Sequence, residues 1–272
     1  MLFSVQQRLS FLFLPTRCTT SMMTEQSVRI GVLALQGAFA EHVAMLRRIE
    51  GVEAFEVRNA KDLEAADGLV IPGGESTTMG LIAERTGILS SLREFVSLRK
   101  KPVFGTCAGL IMLADSAKHM KEGGQPLLGG LNVLVDRNHF GSQLQSFETE
   151  LQVSEDEGLD LSACHGVFIR APVVLKTLGP HVKILARVSG NPEKAAPLAA
   201  GEERIVAVHQ DHMLGTAFHP ELTADDRWHR YFVAMVRRHN EATAAEEHKA
   251  PEAGTLVHTP DVDRDVEATT AP

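Results

Sequence analysis

The chain predicts an α/β fold: a three-layer, open and mainly parallel sheet with helices on both faces, extended by an antiparallel β addition. Three observations carry this expectation. Short apolar runs alternate with amphipathic stretches through the first half. One of those runs ends in Gly105-Thr106-Cys107-Ala108-Gly109 and passes straight into a helix-like stretch. From Gly130 onward the chain changes character and offers one β-like run after another.

Taken in order, Arg29 to Leu35 reads as the first strand and Ala40 to Ile49 as the first helix. Glu53 to Val57 and Gly68 to Ile71 are short strands, the second leading through a Gly-Gly turn to a helix after Thr77. Pro102 to Gly105 is the strand that ends at the cysteine. In such open sheets the sites lie at the carboxyl ends of the strands. The later strands are Leu131 to Asp136, Thr149 to Val153, Gly166 to Ile169, Val182 to Val188, Arg204 to His209 and Gly215 to Phe218, expected to form the antiparallel addition that returns His219 to Cys107. A closing helix, Asp225 to Arg238, carries Trp228, Phe232 and Met235 at helical spacing, a core stripe.

The pentapeptide around Cys107 has the form of a nucleophile elbow with sulfur in place of oxygen. Glycines two residues before and after the nucleophile let the backbone turn sharply from strand to helix and leave the side chain at the crest. The amides that open the following helix carry partial positive charge, which favours a thiolate and an oxyanion beside it. A buried structural cysteine in a Gly-flanked turn is the plainer alternative. Near the end of the chain, His219-Pro220-Glu221 offers a base and its orienter. In an extended segment, with Pro220 keeping the stretch out of helix, residues two apart share a face, so Glu221 can hold the His219 ring. Leu69 to Met79, with Pro72-Gly73-Gly74-Glu75-Ser76, supplies bare backbone amides, a candidate second oxyanion donor beside that of Ala108. No Walker-type ending and no G-x-G-x-x-G follow the first strand, which leaves a nucleotide site unsupported.

With these pieces the chain resembles the class I, triad-type glutamine amidotransferases, and among them the glutaminase subunits of pyridoxal 5′-phosphate synthases. Six stretches carry the resemblance: Gly31 to His42, the Pro72 to Met79 loop, Gly105 to Ile111, Arg137-Asn138-His139-Phe140-Gly141-Ser142-Gln143, Phe168-Ile169-Arg170-Ala171-Pro172 and His219 to Leu222. They follow one another in the family's order between about Arg29 and Arg238. The resemblance implies a flavodoxin-like fold without cofactor or metal, and hydrolysis of L-glutamine to glutamate and ammonia. Cys107 would attack the side-chain amide, His219 would shuttle the proton, Glu221 would orient His219, and the amides of Gly74 and Ala108 would hold the oxyanion. Gly74, Glu75, Ser76, Arg137, Ile169 and Arg170 would line the glutamine pocket. The implied partner is a (β/α)₈-barrel synthase subunit in a large hetero-oligomer, docked around the elbow and parts of Gln36 to His42 and Glu75 to Met79.

Glutamine's own chemistry suits these residues, because its α-carboxylate favours the planar fork of an arginine. Arg137 is the first candidate; Arg170, next to Pro172, could equally pair with an acid and serve structure. Gln36 could face the ammonia exit or the partner, or cap its strand. A related flavodoxin-like superfamily, with an elbow cysteine in a chaperone, redox sensor or stand-alone hydrolase, is the rival reading, and a scaffold that has lost catalysis is another. The His219-x-Glu221 pair and the glutamine-pocket stretches argue against the first, and the presence of all three triad residues argues against the second.

With 272 residues, 44% of them hydrophobic, the chain has room for one sizeable α/β domain plus tails. A formal net charge of −8 with no dense basic cluster argues against nucleic acid as partner. Three cysteines, Cys18, Cys107 and Cys164, make neither a disulfide framework nor a zinc spacing, and Cys164 beside His165 reads as a bystander. The domain is expected over residues 27–240. Residues 1–26 contain Arg8 and Arg17, no acid before Glu25, and an apolar patch too short to span a membrane. They read either as a disordered extension of a cytoplasmic protein or as a mitochondrial-type presequence. Residues 241–272, rich in Ala, Glu, Thr, Asp and Pro, are expected to be disordered, and Ser189 to Glu203 to form a long loop.

Overall fold

The computed structural model describes residues 27–119, 125–137, 139, 146–154, 161, 163–190 and 201–249. Strands and helices alternate at first: β1 (Val28–Leu33), α1 (Phe39–Leu46), β2 (Val52–Val57), α2 (Ala60–Glu64), β3 (Gly68–Ile71), α3 (Ser76–Arg85) and α4 (Ile88–Arg93). A π-helical turn, Glu94–Leu98, leads to β4 (Val103–Thr106), α5 (Ala108–Leu113) and β5 (Ala114–Lys118). Then come β6 (Leu131–Asp136), β7 (Phe147–Glu150), β8 (Gln152–Val153), β9 (His165–Phe168), β10 (Val173–Thr177), β11 (Lys183–Ser189), β12 (Glu203–Gln210) and β13 (Met213–Thr216). A 3₁₀ turn, Pro220–Leu222, and the long α6 (Arg227–Lys249) close the chain.

In the main sheet the order is β2-β1-β3-β4-β13-β12-β10-β6-β5, with β11 bridging β12 and β8. From β2 to β13 every neighbour is parallel, whereas β12 pairs antiparallel with β13, β10 and β11. β3, β4 and β13 are buried at every position, as strands covered on both faces must be, and their composition is correspondingly apolar without alternation. The closing-helix stripe is core as expected: Phe218 meets Trp228 edge-on at 5.2 Å between centroids, and Phe104 packs on Phe232 at 5.7 Å.

The junction of β4 and β13 builds the site. Thr216 stands opposite Thr106 in parallel register, so both strands release their chains at the same sheet edge, one residue before Cys107 and three before His219. His219 therefore returns on a parallel strand of the main sheet, and the antiparallel strands only lead into it. This corrects the expectation that the antiparallel addition itself delivers it. Other departures are local. Residues 149–153 divide between β7, paired with β9 in a separate two-stranded sheet, and β8. α6 runs on to Lys249, so the first part of the segment expected to be disordered is helical. The expectations for residues 1–26 and 250–272, and for most of the 189–203 loop, lie outside the described residues. Among the described residues no helix is long and apolar enough to cross a membrane.

Candidate active site

Cys107 sits between β4 and α5 with φ 47° and ψ −100°, a conformation that a side-chain-bearing residue adopts only at a cost of about 1–3 kcal/mol. The surrounding glycines make it possible. A Cβ on Gly105 would strike the Gly109 backbone, and one on Gly109 would strike the Ile71 carbonyl, so strand and helix can meet this closely only without side chains. Two backbone bonds fix the turn: Cys107 N–H donates to the Thr216 carbonyl at 2.8 Å, and Ile111 N–H to the Cys107 carbonyl at 3.3 Å. Ala108 is the first residue of α5, so its N–H has no intrahelical acceptor and is available beside the sulfur.

His219 follows β13, and its N–H donates to Val167 of β9 at 2.8 Å. Its Nδ1 is 2.7 Å from Glu221 Oε1, both residues being buried. The expected pair is formed, by a different backbone: Pro220 opens a 3₁₀ turn instead of holding an extended strand. A proline's fixed φ suits the first helical position, and that tight turn folds the carboxylate back beneath the ring. Burial works against charge on His219, yet hydrogen bonds from its ring to Cys107 and to Glu221 outweigh it and raise its pKa to about 10. The geometry is that of a thiol and an imidazole poised to share one proton, with a carboxylate stabilising the cation.

In front of the sulfur lies a cavity of about 430 Å³, which Gly74, Glu75, Ser76, Arg137, Ile169 and Arg170 line together with Cys107 and His219. Every expected pocket residue therefore reaches one space, though not with the same freedom. Glu75 caps α3: Thr77 and Thr78 N–H donate to its two oxygens at 3.2 and 2.8 Å, and the Thr78 hydroxyl adds a third bond at 2.7 Å. Burial would raise this carboxyl, but those bonds prevail and lower it to about 2. The Arg137 guanidinium, largely buried, donates to Thr77 Oγ1 at 3.2 Å and to Glu75 Oε1 at 3.4 Å. It is a preset fork at the pocket wall. Ser76 donates instead to Gln125 Oε1 at 3.2 Å. Arg170 is exposed at φ 48° and forms no ion pair among the described residues, so the structural pairing weighed for it is not seen. Gln36 takes a role the sequence left open: its Oε1 accepts from Glu75 N–H at 2.7 Å and tethers the Gly-Gly loop.

Behind Glu221 stand two residues that sequence reasoning did not connect to the site. His42 of α1, expected near a docking face, is completely buried, and His229 of α6 adjoins it at 2.8 Å. A larger cavity, about 1110 Å³, opens where Pro102 and His212 precede β4 and β13. That is the amino end of those strands. It holds none of the triad, so volume alone misplaces the chemistry, and the smaller space at the carboxyl ends is the candidate. Cys164 lies apart, its Sγ 3.5 Å from Asp225 Oδ2, a bystander to the cavity.

Comparison with known proteins identifies the family. A profile of the SNO glutamine amidotransferase family matches residues 32–238. A protein of Arabidopsis thaliana named probable pyridoxal 5′-phosphate synthase subunit PDX2 is 51% identical over 222 residues, covering 76% of this chain and 86% of its own. The pyridoxal 5′-phosphate synthase subunit PdxT of Thermus thermophilus is 47% identical over 207 residues, covering 76% and 97%. Among solved structures, a glutamine amidotransferase with 45% identity superposes with a TM-score of 0.63, covering 76% of this chain and 98% of that one.

Proposed function

The chain belongs to the SNO glutamine amidotransferase family, and from that premise we propose that it hydrolyses L-glutamine to L-glutamate and ammonia and delivers the ammonia to a pyridoxal 5′-phosphate synthase subunit. The observation that carries the reading is the triad. A strained elbow thiol and an imidazole held cationic share one pocket with an arginine fork, and a buried carboxylate stands 2.7 Å behind the imidazole. The Cys107 thiolate attacks the side-chain amide carbon, and the resulting oxyanion faces the N–H of Ala108 and, with the loop suitably turned, that of Gly74. His219 gives its proton to the departing ammonia, leaving a thioester. Water then attacks while His219 takes a proton back, and glutamate leaves with the thiol restored. The elbow-cysteine rival has no comparable support, since family membership and the His-x-Glu pair both favour the amidotransferase.

Arg137 is assigned to the α-carboxylate of glutamine. Arg137→Lys is expected to raise KM at least about tenfold with little change in thermal stability, because a point charge cannot reproduce a two-pronged contact. Steady-state kinetics on the purified variant decide it, and a normal KM there with a raised one in Arg170→Lys would exchange the two roles.

The partner is assigned as a (β/α)₈-barrel subunit in a large hetero-oligomer, in line with the synthase-subunit names of the relatives. Exposed Gly37 and the half-open apolar Ile169 and Leu222 line the cavity where it would dock, and Ala40, Glu41 and Thr78 are exposed in the two segments expected to meet it. The Gly73 carbonyl accepts from Ala38 N–H at 3.1 Å, so reorienting the Gly73-Gly74 peptide costs one hydrogen bond and is sterically easy for glycines. Single-turnover glutamine hydrolysis should therefore be slow for the chain alone and fast with a stoichiometric synthase subunit. Equal rates would remove the gating, and failure to form any complex would remove the vitamin B6 assignment.

A further inference from the structure

Glu221 has two oxygens, and the triad uses one. Its side chain is fully buried, and no hydrogen bond of good geometry reaches Oε2 among the described residues. The polar group facing that oxygen is His42 Nε2, at 3.3 Å. His42 Nε2 also lies 3.2 Å from Thr106 Oγ1, one residue before the nucleophile, while His42 Nδ1 lies 2.8 Å from His229 Nε2. Phe104 meets both rings edge-on, at 6.4 Å for His42 and 6.0 Å for His229. A line of polar groups thus runs from the sulfur into the core: Cys107, His219, Glu221, His42, His229.

The proton positions along this line follow from elementary accounting. Burial lowers the pKa of His42 far below its ordinary value and that of His229 to about 3, so both rings are neutral. Each then carries one N–H. His229 Nδ1 is buried without a partner. An orphaned donor costs more than a bare lone pair, which puts the His229 proton on Nε2, aimed at His42. His42 Nδ1 must accept that proton, so the His42 proton sits on Nε2. At the other end, an ionised carboxylate can only accept, and it faces the same nitrogen. Both ends of the line demand one arrangement.

Resting on the glutaminase reading above, we propose that His42 is a positioning residue of this site: its Nε2–H holds the second oxygen of Glu221, and His229 holds His42 in the tautomer able to do so. Glu221 would then be clamped between two imidazoles, one on each oxygen, so that it cannot swing away from His219. His42 Nε2 has hydrogen-bond geometry toward Thr106 Oγ1 at 3.2 Å and only proximity to Glu221 Oε2 at 3.3 Å, so the clamp closes by a small turn of the ring, as catalytic contacts often tighten when substrate arrives.

Three substitutions separate this from a packing role. In His42→Gln the amide nitrogen reaches the place of Nε2; in His42→Asn it reaches only that of Nδ1; His42→Leu has no donor. With the synthase subunit present, His42→Leu and His42→Asn are expected to lower kcat about tenfold or more with KM within twofold, and His42→Gln to restore most of it. In a Glu221→Gln background, His42→Leu should cost nothing further, because a residue acting through Glu221 has nothing left to hold. A readout independent of turnover is the far-downfield proton resonance of His219 Nδ1–H on Glu221. It should vanish in Glu221→Gln, broaden away in His42→Leu and return in His42→Gln. An unmoved resonance in His42→Leu, or a loss of kcat that persists in full in the Glu221→Gln background, overturns the proposal. Should His42→Leu fail to fold, equal resonances and rates in His42→Gln and His42→Asn do the same. A wild-type chain that hydrolyses no glutamine defeats the function proposed above but leaves the resonance comparison to decide this inference.

Discussion

Replacing Cys107 by alanine is expected to leave the fold intact and reduce glutamine-driven turnover by at least about four orders of magnitude, while the synthase subunit still works on supplied ammonia. The size follows from mechanism. Without sulfur no thioester forms, and the remaining amides and arginine can bind glutamine but not open its amide bond. Little structural cost accompanies the change: the Cys107 side chain is short and 6% exposed, and the elbow rests on backbone bonds to Thr216 and Ile111 that alanine keeps. The strained φ of 47° is no harder for alanine than for cysteine. The check is glutamate release beside product formation with ammonium, together with thermal unfolding of the variant. Retained glutaminase activity in a folded Cys107→Ala protein would falsify the assignment of the nucleophile.

What the sequence made legible was local, and what it concealed was not. The elbow, the Gly-Gly loop and the His-x-Glu pair are short segments whose residue types are dictated by backbone geometry, and β1, β3 and β4 are largely apolar runs between turn residues. α2 escaped notice because it has five residues and owes its start to Asn59, whose Oδ1 accepts from Asp62 N–H at 3.1 Å. β5, with Asp115, Ser116 and Lys118 on it, lacks an apolar pattern and is a strand because β6 pairs with it. The helix past Asn240 reflects the converse case: residues 241–246, exposed and rich in Ala and Glu, continue a helix by propensity. Pro220 shows how one residue supports two readings, since a fixed φ serves an extended segment and the first residue of a 3₁₀ turn alike. Nothing in the sequence joined His42 to His229 or either of them to Glu221. Each is one polar residue on a helix, and they meet across 187 positions of chain.

Removing the His219 ring is the second large effect. His219→Asn should approach the loss seen in Cys107→Ala, because the same imidazole activates the thiol and protonates the ammonia. Glu221→Gln should be about 10²-fold milder, keeping a side chain of the same shape beside the ring but not its charge. The pH dependence tells the two apart. With its pKa raised to about 10, His219 stays cationic through neutrality, and the protonated form is lost only as pH rises through that value. A raised folded-state pKa contributes stability that is fully present below about pH 6.5, the ordinary histidine value, and declines as pH climbs toward 10. Turnover in the wild-type complex should therefore hold into the alkaline range, and its basic limb should move toward neutrality in Glu221→Gln, where one of the two groups supporting the cation has lost its charge. Thermal unfolding should lose its decline between pH 6.5 and 10 in His219→Asn, which has nothing to titrate there. A basic limb unmoved by Glu221→Gln would mean that the carboxylate does not support the cation. Cys107 alone would then account for the proton held on His219.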